Sequence, residues 1–428
     1  MKSWTTRNDA HRQSLTIVGL LFAFSSVSYF DRTIISIAGP SMMRDFHLSA
    51  TQMGAIYSAF IFGYALLMIP GGHLTDRLGP RRTLAVMGWS SSAFTALTIL
   101  GGAPVIGAGI GIVPLLVAIR FGMGAGTAPL YPACAKAAAN WISRVYHARV
   151  QGLIIAGSSA GAAISPFVFT WLMEMFRWRI SFVMAALVTA FLTIVWQWQA
   201  RDYPPDVQHQ QVTRVETPQR VWVSLFTNRS LMLLTFAYGA LGYFQYIFFY
   251  WMYYYFGEVL RLGSRTSAVY TTILFLTEGA IMPMGGFVSD RLTVRYGPQY
   301  GRRVVPITGL TLGAILLYGG TITSGFVAVT CFSFAFGFAA CCEGPFWATV
   351  TEMAGERLGR ASSILNTGAQ VGGAFAPIVT PWIAAKMGWA SGLHAGGLAA
   401  LSAAAAVYFI KLRPIPENEP MPEPVLGN

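Results

Sequence analysis

Charged side chains are scarce in this chain. Only 11% of its 428 residues are Asp, Glu, Lys or Arg, whereas a soluble domain carries about 25%. Hydrophobic residues make up 54% of the sequence, and its mean hydropathy is +0.52. Apolar stretches recur that exceed the roughly 18 residues a helix needs to cross a bilayer. The composition excludes an ordinary soluble domain and predicts an all-α membrane protein.

Cysteine and catalytic motifs are also sparse. The four cysteines, Cys134, Cys331, Cys341 and Cys342, have neither disulfide nor metal-ligand spacing. The sequence has no phosphate-binding loop, no nucleophile elbow and no paired His and Glu at metal-binding spacing. We therefore expect no enzyme, no metal site and no cofactor.

Acidic residues are outnumbered, 17 against 29 Lys and Arg. The basic residues are concentrated in every second predicted loop, and this distribution argues against a nucleic-acid-binding surface. Most lie at the termini and in even-numbered loops, and two, Arg32 and Arg120, lie within predicted helices. Because cytoplasmic loops are enriched in Lys and Arg, this asymmetry predicts that both termini are cytoplasmic. The exceptions, in odd-numbered loops, are Arg44, Arg177, Arg179, Arg261, Arg265 and Lys386.

The hydropathy pattern predicts twelve transmembrane helices in two six-helix bundles. They cover residues 14–38, 50–72, 82–102, 108–138, 149–171, 180–200, 229–256, 267–289, 304–322, 325–352, 361–385 and 390–411. The bundles occupy residues 1–200 and 229–411. Residues 201–228, which include Pro204-Pro205, form a predicted cytoplasmic linker, and residues 412–428 a disordered cytoplasmic tail.

A repeated motif relates the two halves. Gly72-His-Leu-Thr-Asp76-Arg77-Leu-Gly-Pro-Arg81-Arg82 recurs 214 residues later as Gly286-Phe-Val-Ser-Asp290-Arg291. Gly161 similarly has a counterpart 211 residues on, at Gly372. Parallel repeats predict a pseudo-twofold axis along the membrane normal and a binding site between the halves. Asp76 and Asp290 are expected to pair with basic groups as gating latches, the alternative being that the loop arginines are stop-transfer charges.

These motifs resemble those of the major facilitator superfamily. The Tyr29-Phe-Asp31-Arg32 segment and the Gly71-Gly72 to Arg82 loop resemble its anion:cation symporter family, which includes bacterial importers of sugar acids and aromatic acids. The resemblance covers nearly the whole chain. It implies a secondary active transporter of the inner membrane that needs no cofactor and works by alternating access.

Arg32 is the leading candidate for substrate binding. An ionised side chain within a membrane helix is costly, and the planar guanidinium matches a carboxylate. The resemblance implies that Arg32 binds an organic anion; a permanent structural ion pair is the alternative. Asp31 is the candidate proton carrier because burial opposes its ionisation while a nearby arginine favours it. Its alternative role is to orient an arginine.

Further buried charges complete the predicted coupling set. Arg120 either binds substrate or pairs with Asp31. The family commonly has a glutamate at the position of Thr127, and threonine cannot titrate. Glu343 and Glu278 are the candidate substitutes, and each has a structural alternative at a polar helix contact.

Polar and aromatic residues are expected to line the cavity. Tyr29, Tyr64, Trp347 and Asn366 match substrate-contacting positions of sugar-acid members of the family, and Gln245 lies in the middle of an aromatic helix. Ser158 replaces a glutamine that bonds substrate hydroxyls in those members, which weakens a strict sugar-acid assignment.

The sequence thus predicts proton symport that imports a small organic carboxylate, either a sugar acid or an aromatic or hydroxy acid. The alternatives are an organic-anion exchanger or an efflux antiporter of the same superfamily. A non-transporting receptor is disfavoured by the intramembrane charges in both halves. The expected partners are protons, an organic anion and the bilayer, with the protein as a monomer.

Overall fold

The computed structural model describes residues 7–102, 111–142, 147–203, 220–354 and 358–412. The predicted tail, apart from Leu412, and linker residues 204–219 lie outside this range. The first half contains five helices, α1 (Arg7–Phe46), α2 (Ala50–Leu97), α3 (Ile112–Thr127), α4 (Leu130–Trp141) and α5 (His147–Gln199). A 3₁₀ turn, Thr98–Gly102, follows α2.

A short helix, α6 (Arg220–Thr227), precedes the second half. That half contains α7 (Arg229–Tyr254), α8 (Gly263–Tyr296), α9 (Pro298–Ile322), α10 (Gly325–Ala340), α11 (Glu343–Ala354), α12 (Leu358–Met387) and α13 (Trp389–Phe409). A π turn, Tyr255–Val259, extends α7. Nine helical segments of the described chain are long and apolar enough to cross a membrane.

Two of the longest helices are interrupted by a residue with positive φ. Gly79 interrupts α2 with φ of 78°, and Arg177 interrupts α5 with φ of 60°. Glycine adopts this conformation without a Cβ clash, which explains its place in the loop motif. Each of these helices is therefore two segments, in agreement with the separate apolar runs of the sequence.

The runs predicted over 108–138 and 325–352 each correspond to one candidate membrane span, Ile112–Trp141 and Gly325–Ala354, and each span contains a break. The first run is interrupted between α3 and α4 at Ala128-Pro129, and the second between α10 and α11 at Cys341-Cys342. Proline lacks an N–H and is tolerated near a helix start, where Pro129 and Pro345 lie. Hydropathy alone cannot detect such breaks, because the apolar run continues through them. The second break makes Glu343 the first residue of α11.

The repeat is visible in the closest helix crossings. A Cβ added to Gly161 on α5 would lie 1.9 Å from the carbonyl oxygen of Ser26 on α1. A Cβ added to its counterpart Gly372 on α12 would lie 1.9 Å from the carbonyl oxygen of Gly239 on α7. Small residues permit such close backbone contact between membrane helices. The same crossing therefore builds both halves.

The bundle has two distinguishable ends. We call the end that carries Asp76 and Asp290 the motif end, and the end that carries Arg44 and Glu258 the gate end. The longest ring cluster lies along α7, where Tyr246, Tyr250 and the neighbouring Tyr57 of α2 are stacked. Between the two ends, α1 packs against α7, and α2 against α12, which brings the halves together around Arg32.

Candidate functional site

Arg32 lies at the contact between the halves, surrounded by aromatic rings. Its guanidinium carbon is 5.0 to 5.7 Å from four ring centroids, and only 6% of the residue is exposed. Such cation–π contacts stabilise a desolvated cation. The rings belong to Tyr29, Phe60, Tyr64 and Tyr246. The structure thus brings the predicted residues Tyr29 and Tyr64 to the predicted cation.

The guanidinium also donates a hydrogen bond to the hydroxyl of Tyr246, which donates in turn to Gln370 at 3.1 Å. Tyr246 is 214 residues from Arg32, in the second half of the chain. The hydrogen bond therefore joins the two halves where they face each other. Nε of Arg32 has no hydrogen-bond partner in the described residues, and the ion pairs found there do not include Arg32.

Arg120 lies behind this cluster. It is 1% exposed, and its guanidinium carbon lies 4.8 Å from the centroid of Phe60. Nη2 donates to the carbonyl oxygen of Arg32 at 3.3 Å, and Nη1 contacts the sulfur of Met123 at 3.0 Å. No ion pair with Asp31 occurs among the described residues. Arg120 thus supports the backbone of the helix that carries Arg32.

Asp31 points away from Arg32 into the first bundle. One carboxylate oxygen accepts hydrogen bonds from Ser91 at 3.1 Å and Thr189 at 2.7 Å. The other oxygen has no partner within the described chain, and the residue is 1% exposed. A buried carboxylate bound only by neutral hydroxyls can exist with or without its proton. The geometry suits a proton carrier that communicates with Arg32 through α1.

A second polar cluster faces the site from the other half. Glu343 accepts hydrogen bonds from Tyr238 at 2.6 Å and from Gln245 at 3.1 Å. Trp347 donates to the Tyr238 hydroxyl at 3.0 Å. Three predicted site residues, Gln245, Glu343 and Trp347, are therefore in one hydrogen-bonded network, which the sequence did not indicate.

The remaining predicted residues are dispersed. Asn366 contacts the sulfur of Met68 at 3.2 Å across the two halves, and Glu278 is 9% exposed on α8. The hydroxyls of Thr127 and Ser158 donate to backbone carbonyls within their own helices, at 2.9 and 2.6 Å. Both hydroxyls are thus already hydrogen-bonded within the first half.

Polar and aromatic contacts close the gate end between the halves. Arg44 pairs with Glu258 at 2.6 Å, and Arg265 pairs with Glu174 at 2.9 Å. Arg44 and Glu258 are again 214 residues apart. The hydroxyls of Thr170 and Tyr253 also lie 3.1 Å from each other.

The predicted gating residues pair within their own halves. Asp76 is 3.2 Å from Lys136, and Asp290 is 2.5 Å from Arg302, which also contacts Glu352 at 2.8 Å. The backbone N–H of Arg81 donates to Asp202 at 2.8 Å. A Cβ at Gly72 would meet nothing within 4 Å, and Arg77 and Arg291 are exposed. These motif-end pairs therefore do not join the two halves in this conformation.

Several site residues were missed from the sequence. Phe60, Tyr238 and Gln370 are ordinary aromatic or polar residues of membrane helices, and only their contacts single them out.

Comparisons with known proteins agree with this architecture. The model of the Major Facilitator Superfamily matches residues 21–357 and 292–425. A hexuronate transporter of Bacillus subtilis is 29% identical over 94% of this chain and 95% of its own length. A probable galactarate/D-glucarate transporter of the same species is 26% identical over 86% of this chain and 85% of its own length.

A solved structure shares the fold. A bacterial homologue of the human lysosomal transporter Spinster, in an inward-facing and unoccupied conformation, has a TM-score of 0.74 at 15% identity. The match covers 92% of this chain and 96% of that one. With a family model that spans most of the sequence and a shared all-helical fold, this chain belongs to the major facilitator superfamily.

Proposed function

We propose that the protein imports a sugar-acid-type organic carboxylate together with protons, by alternating access. The observation that carries the proposal is the buried Arg32, a permanent cation at the contact between the halves with no carboxylate partner in the described residues. Burying an unpaired charge is costly, and a substrate carboxylate removes that cost when it binds. The names of the hexuronate and galactarate/D-glucarate relatives support this substrate class.

The topology supports import across a bacterial inner membrane. Counting the segments of α2 and α5 separately, and α12 as a further crossing, gives the twelve spans of the proposal. The distribution of Lys and Arg favours a cytoplasmic motif end and cytoplasmic termini. The closed gate end then faces outward, and the conformation is inward-facing. A monomer suffices for this cycle.

Substrate binding is coupled to protons through Asp31 in this proposal. Its carboxylate is buried on the helix that carries Arg32, so a change at either residue acts on the same backbone. Glu343 and Glu278 are further carboxylates in the opposite half, and Thr127 of the first half offers no titratable group. An exchanger or efflux antiporter is the second candidate, favoured only by the shared fold.

Counterflow in proteoliposomes tests the site without any imposed gradient. Purified protein is reconstituted with a trapped hexuronate, and entry of the radiolabelled compound is measured for wild type, Arg32→Lys and Arg32→Ala. Because charge-assisted hydrogen bonds contribute about 1.5–3 kcal/mol, we expect Arg32→Ala to reduce entry at least about tenfold. Arg32→Lys, which keeps the charge and loses the fork, is expected to be intermediate.

The matched control is Arg179→Ala, since this exposed arginine pairs with Asp45 at the gate end within the first half. Arg179→Ala is expected to retain counterflow. Normal counterflow by Arg32→Ala would overturn the binding assignment. Absence of counterflow in wild type, across sugar acids and aromatic acids, would overturn the proposed substrate class.

A further inference from the structure

Glu343 accepts hydrogen bonds from two side chains of the second half. The indole N–H of Trp347 donates to the Tyr238 oxygen, and the Tyr238 hydroxyl donates to one oxygen of Glu343. The amide nitrogen of Gln245 donates to the other carboxylate oxygen. Both oxygens therefore accept hydrogen bonds. No cation is paired with Glu343 in the described residues.

Glu343 and Arg32 lie near the same region of the interface, each in a different half. Tyr29, whose ring is 5.4 Å from Arg32, interacts electrostatically with both Arg32 and Glu343. Gln245, which donates to Glu343, directly precedes Tyr246, which accepts from Arg32. The site is thus cationic on the side of the first half and anionic on the side of the second.

Within the described part of the chain, the anionic side has no second cation to offer a ligand. Glu278 is another carboxylate of the second half, within electrostatic range of Glu343. Arg120, the other buried cation, lies behind Phe60 and is bonded to the backbone of Arg32. A ligand that places its carboxylate on Arg32 therefore extends its other end toward Glu343.

We propose that Glu343 makes the transporter selective for monocarboxylates with a hydroxylated, uncharged tail, and against dicarboxylates. The proposal rests on the function proposed above. Hydroxyl groups of the tail donate to Glu343, which accepts them as it accepts Tyr238. A second carboxylate meets a like charge at Glu343. Hexuronates have one carboxylate and galactarate and glucarate have two, so the named substrates of the relatives differ in this respect.

The expected discrimination is large enough to measure. Two like charges about 8 Å apart, at an effective dielectric constant of about 20, disfavour binding by about 30-fold. Rejecting a ligand by repulsion is a recognised route to specificity. Glucuronate forms a ring that glucarate cannot form, so the comparison that holds shape constant is glucarate against its monoamide.

The first arm of the test uses the wild-type protein. Counterflow of radiolabelled glucuronate in proteoliposomes is measured against increasing glucarate, or against the monoamide of glucarate, which lacks one charge. The monoamide is expected to compete at least about tenfold better than glucarate. Equal competition by both would overturn the inference while leaving the proposed function intact. Absence of glucuronate counterflow would instead count against the proposed function.

The second arm changes the protein. Glu343→Gln keeps the size of the side chain and removes the charge, so entry of labelled glucarate relative to glucuronate is expected to rise at least about tenfold. Asp45→Asn, which removes a carboxylate at the gate end that pairs with Arg179, is expected to leave this ratio unchanged. An unchanged ratio in Glu343→Gln, or an equal rise in Asp45→Asn, would overturn the assignment. If Glu343→Gln does not fold, the competition experiment with the wild-type protein still tests the inference.

Discussion

Asp31 and Arg32 are adjacent in sequence, but their side chains lie in different environments. Asp31 is bonded to Ser91 and Thr189 inside the first bundle, whereas Arg32 contacts Tyr246 of the second half. Neighbours on a helix differ by about 100°, which is enough to separate a proton site from a substrate site. The two charges therefore share a helix without pairing.

The sequence could identify these two residues because charge is rare inside membrane helices. It could not show where their side chains point, since Ser91 and Thr189 are 60 and 158 residues away from Asp31. The network of Glu343, Tyr238 and Gln245 was equally inaccessible, because polar and aromatic residues are common throughout α7 and carry no distinguishing pattern.

At the residue scale, Asp31→Asn separates coupling from transport. The amide is similar in size and can bond the same hydroxyls, but it cannot take up a proton. We expect counterflow to persist within about threefold, while accumulation driven by a pH gradient falls to the level of equilibration. Both are measured in proteoliposomes with a labelled hexuronate.

Ser91→Ala provides the control for this prediction, since it removes one neutral donor to Asp31 and leaves the carboxylate. This variant is expected to retain gradient-driven accumulation. Accumulation by Asp31→Asn equal to wild type would remove Asp31 from the coupling mechanism.

Among the helices, α2 and α12 form a closely packed contact between the halves. A Cβ at Gly54 would lie 1.9 Å from the carbonyl oxygen of Pro377, and Ser58 donates to the carbonyl oxygen of Ala374 at 2.6 Å. These contacts lie in the part of the interface that is closed in this conformation. An alternating-access cycle must separate them when the gate end opens.

The apolar runs coincide with helical segments in the described residues, although α1 (Arg7–Phe46) extends beyond the predicted 14–38, and α2 and α5 each cover two predicted runs. The breaks near Pro129 and Pro345 did not follow from hydropathy, because membrane helices tolerate proline both at starts and in their interiors. Pro166 and Pro283, for example, lie inside α5 and α8. Only backbone geometry distinguishes these cases.

For this contact, we predict that the substitution Gly54→Ala reduces uptake. The added methyl group would clash with the carbonyl oxygen of Pro377. The gate end could then close only with a wider spacing between α2 and α12. Overpacking of this kind costs about 1–3 kcal/mol, which shifts the population toward the conformation that is open at the gate end. We expect uptake to fall about five- to 100-fold.

The shift is measured by labelling single cysteines at the gate end with an impermeant maleimide, which should react faster in Gly54→Ala. Gly19→Ala is the matched control, because a Cβ at Gly19 would meet nothing within 4 Å. Unchanged labelling and uptake in Gly54→Ala would show that this contact does not open during the cycle.

At the scale of the whole molecule, the two halves are related by the sequence repeat, but they contribute different side chains to the site. Contacts between the halves join Arg32 to Tyr246 at the site and Arg44 to Glu258 at the gate end. The duplication could be predicted from the loop motif alone. The divergence of the two halves into a cationic and an anionic side required the contacts of the folded protein.

In the proposed symport, the number of protons moved determines the net charge that crosses the membrane. One proton with a monoanion is electroneutral, whereas a second proton adds one net charge, worth about 2.3 kcal/mol per 100 mV. Thr127 cannot carry a proton, which favours the electroneutral case with Asp31 as carrier, and Glu343 is hydrogen-bonded as a carboxylate in this conformation. The pH gradient is then the driving force.

Uptake of a labelled hexuronate into proteoliposomes with an alkaline interior tests this account most directly, with a protonophore added in parallel. We predict accumulation above equilibrium that collapses with the protonophore, and no accumulation when a membrane potential is imposed without a pH gradient. Uptake that does not depend on the pH gradient and requires a trapped organic anion would contradict proton symport and establish exchange.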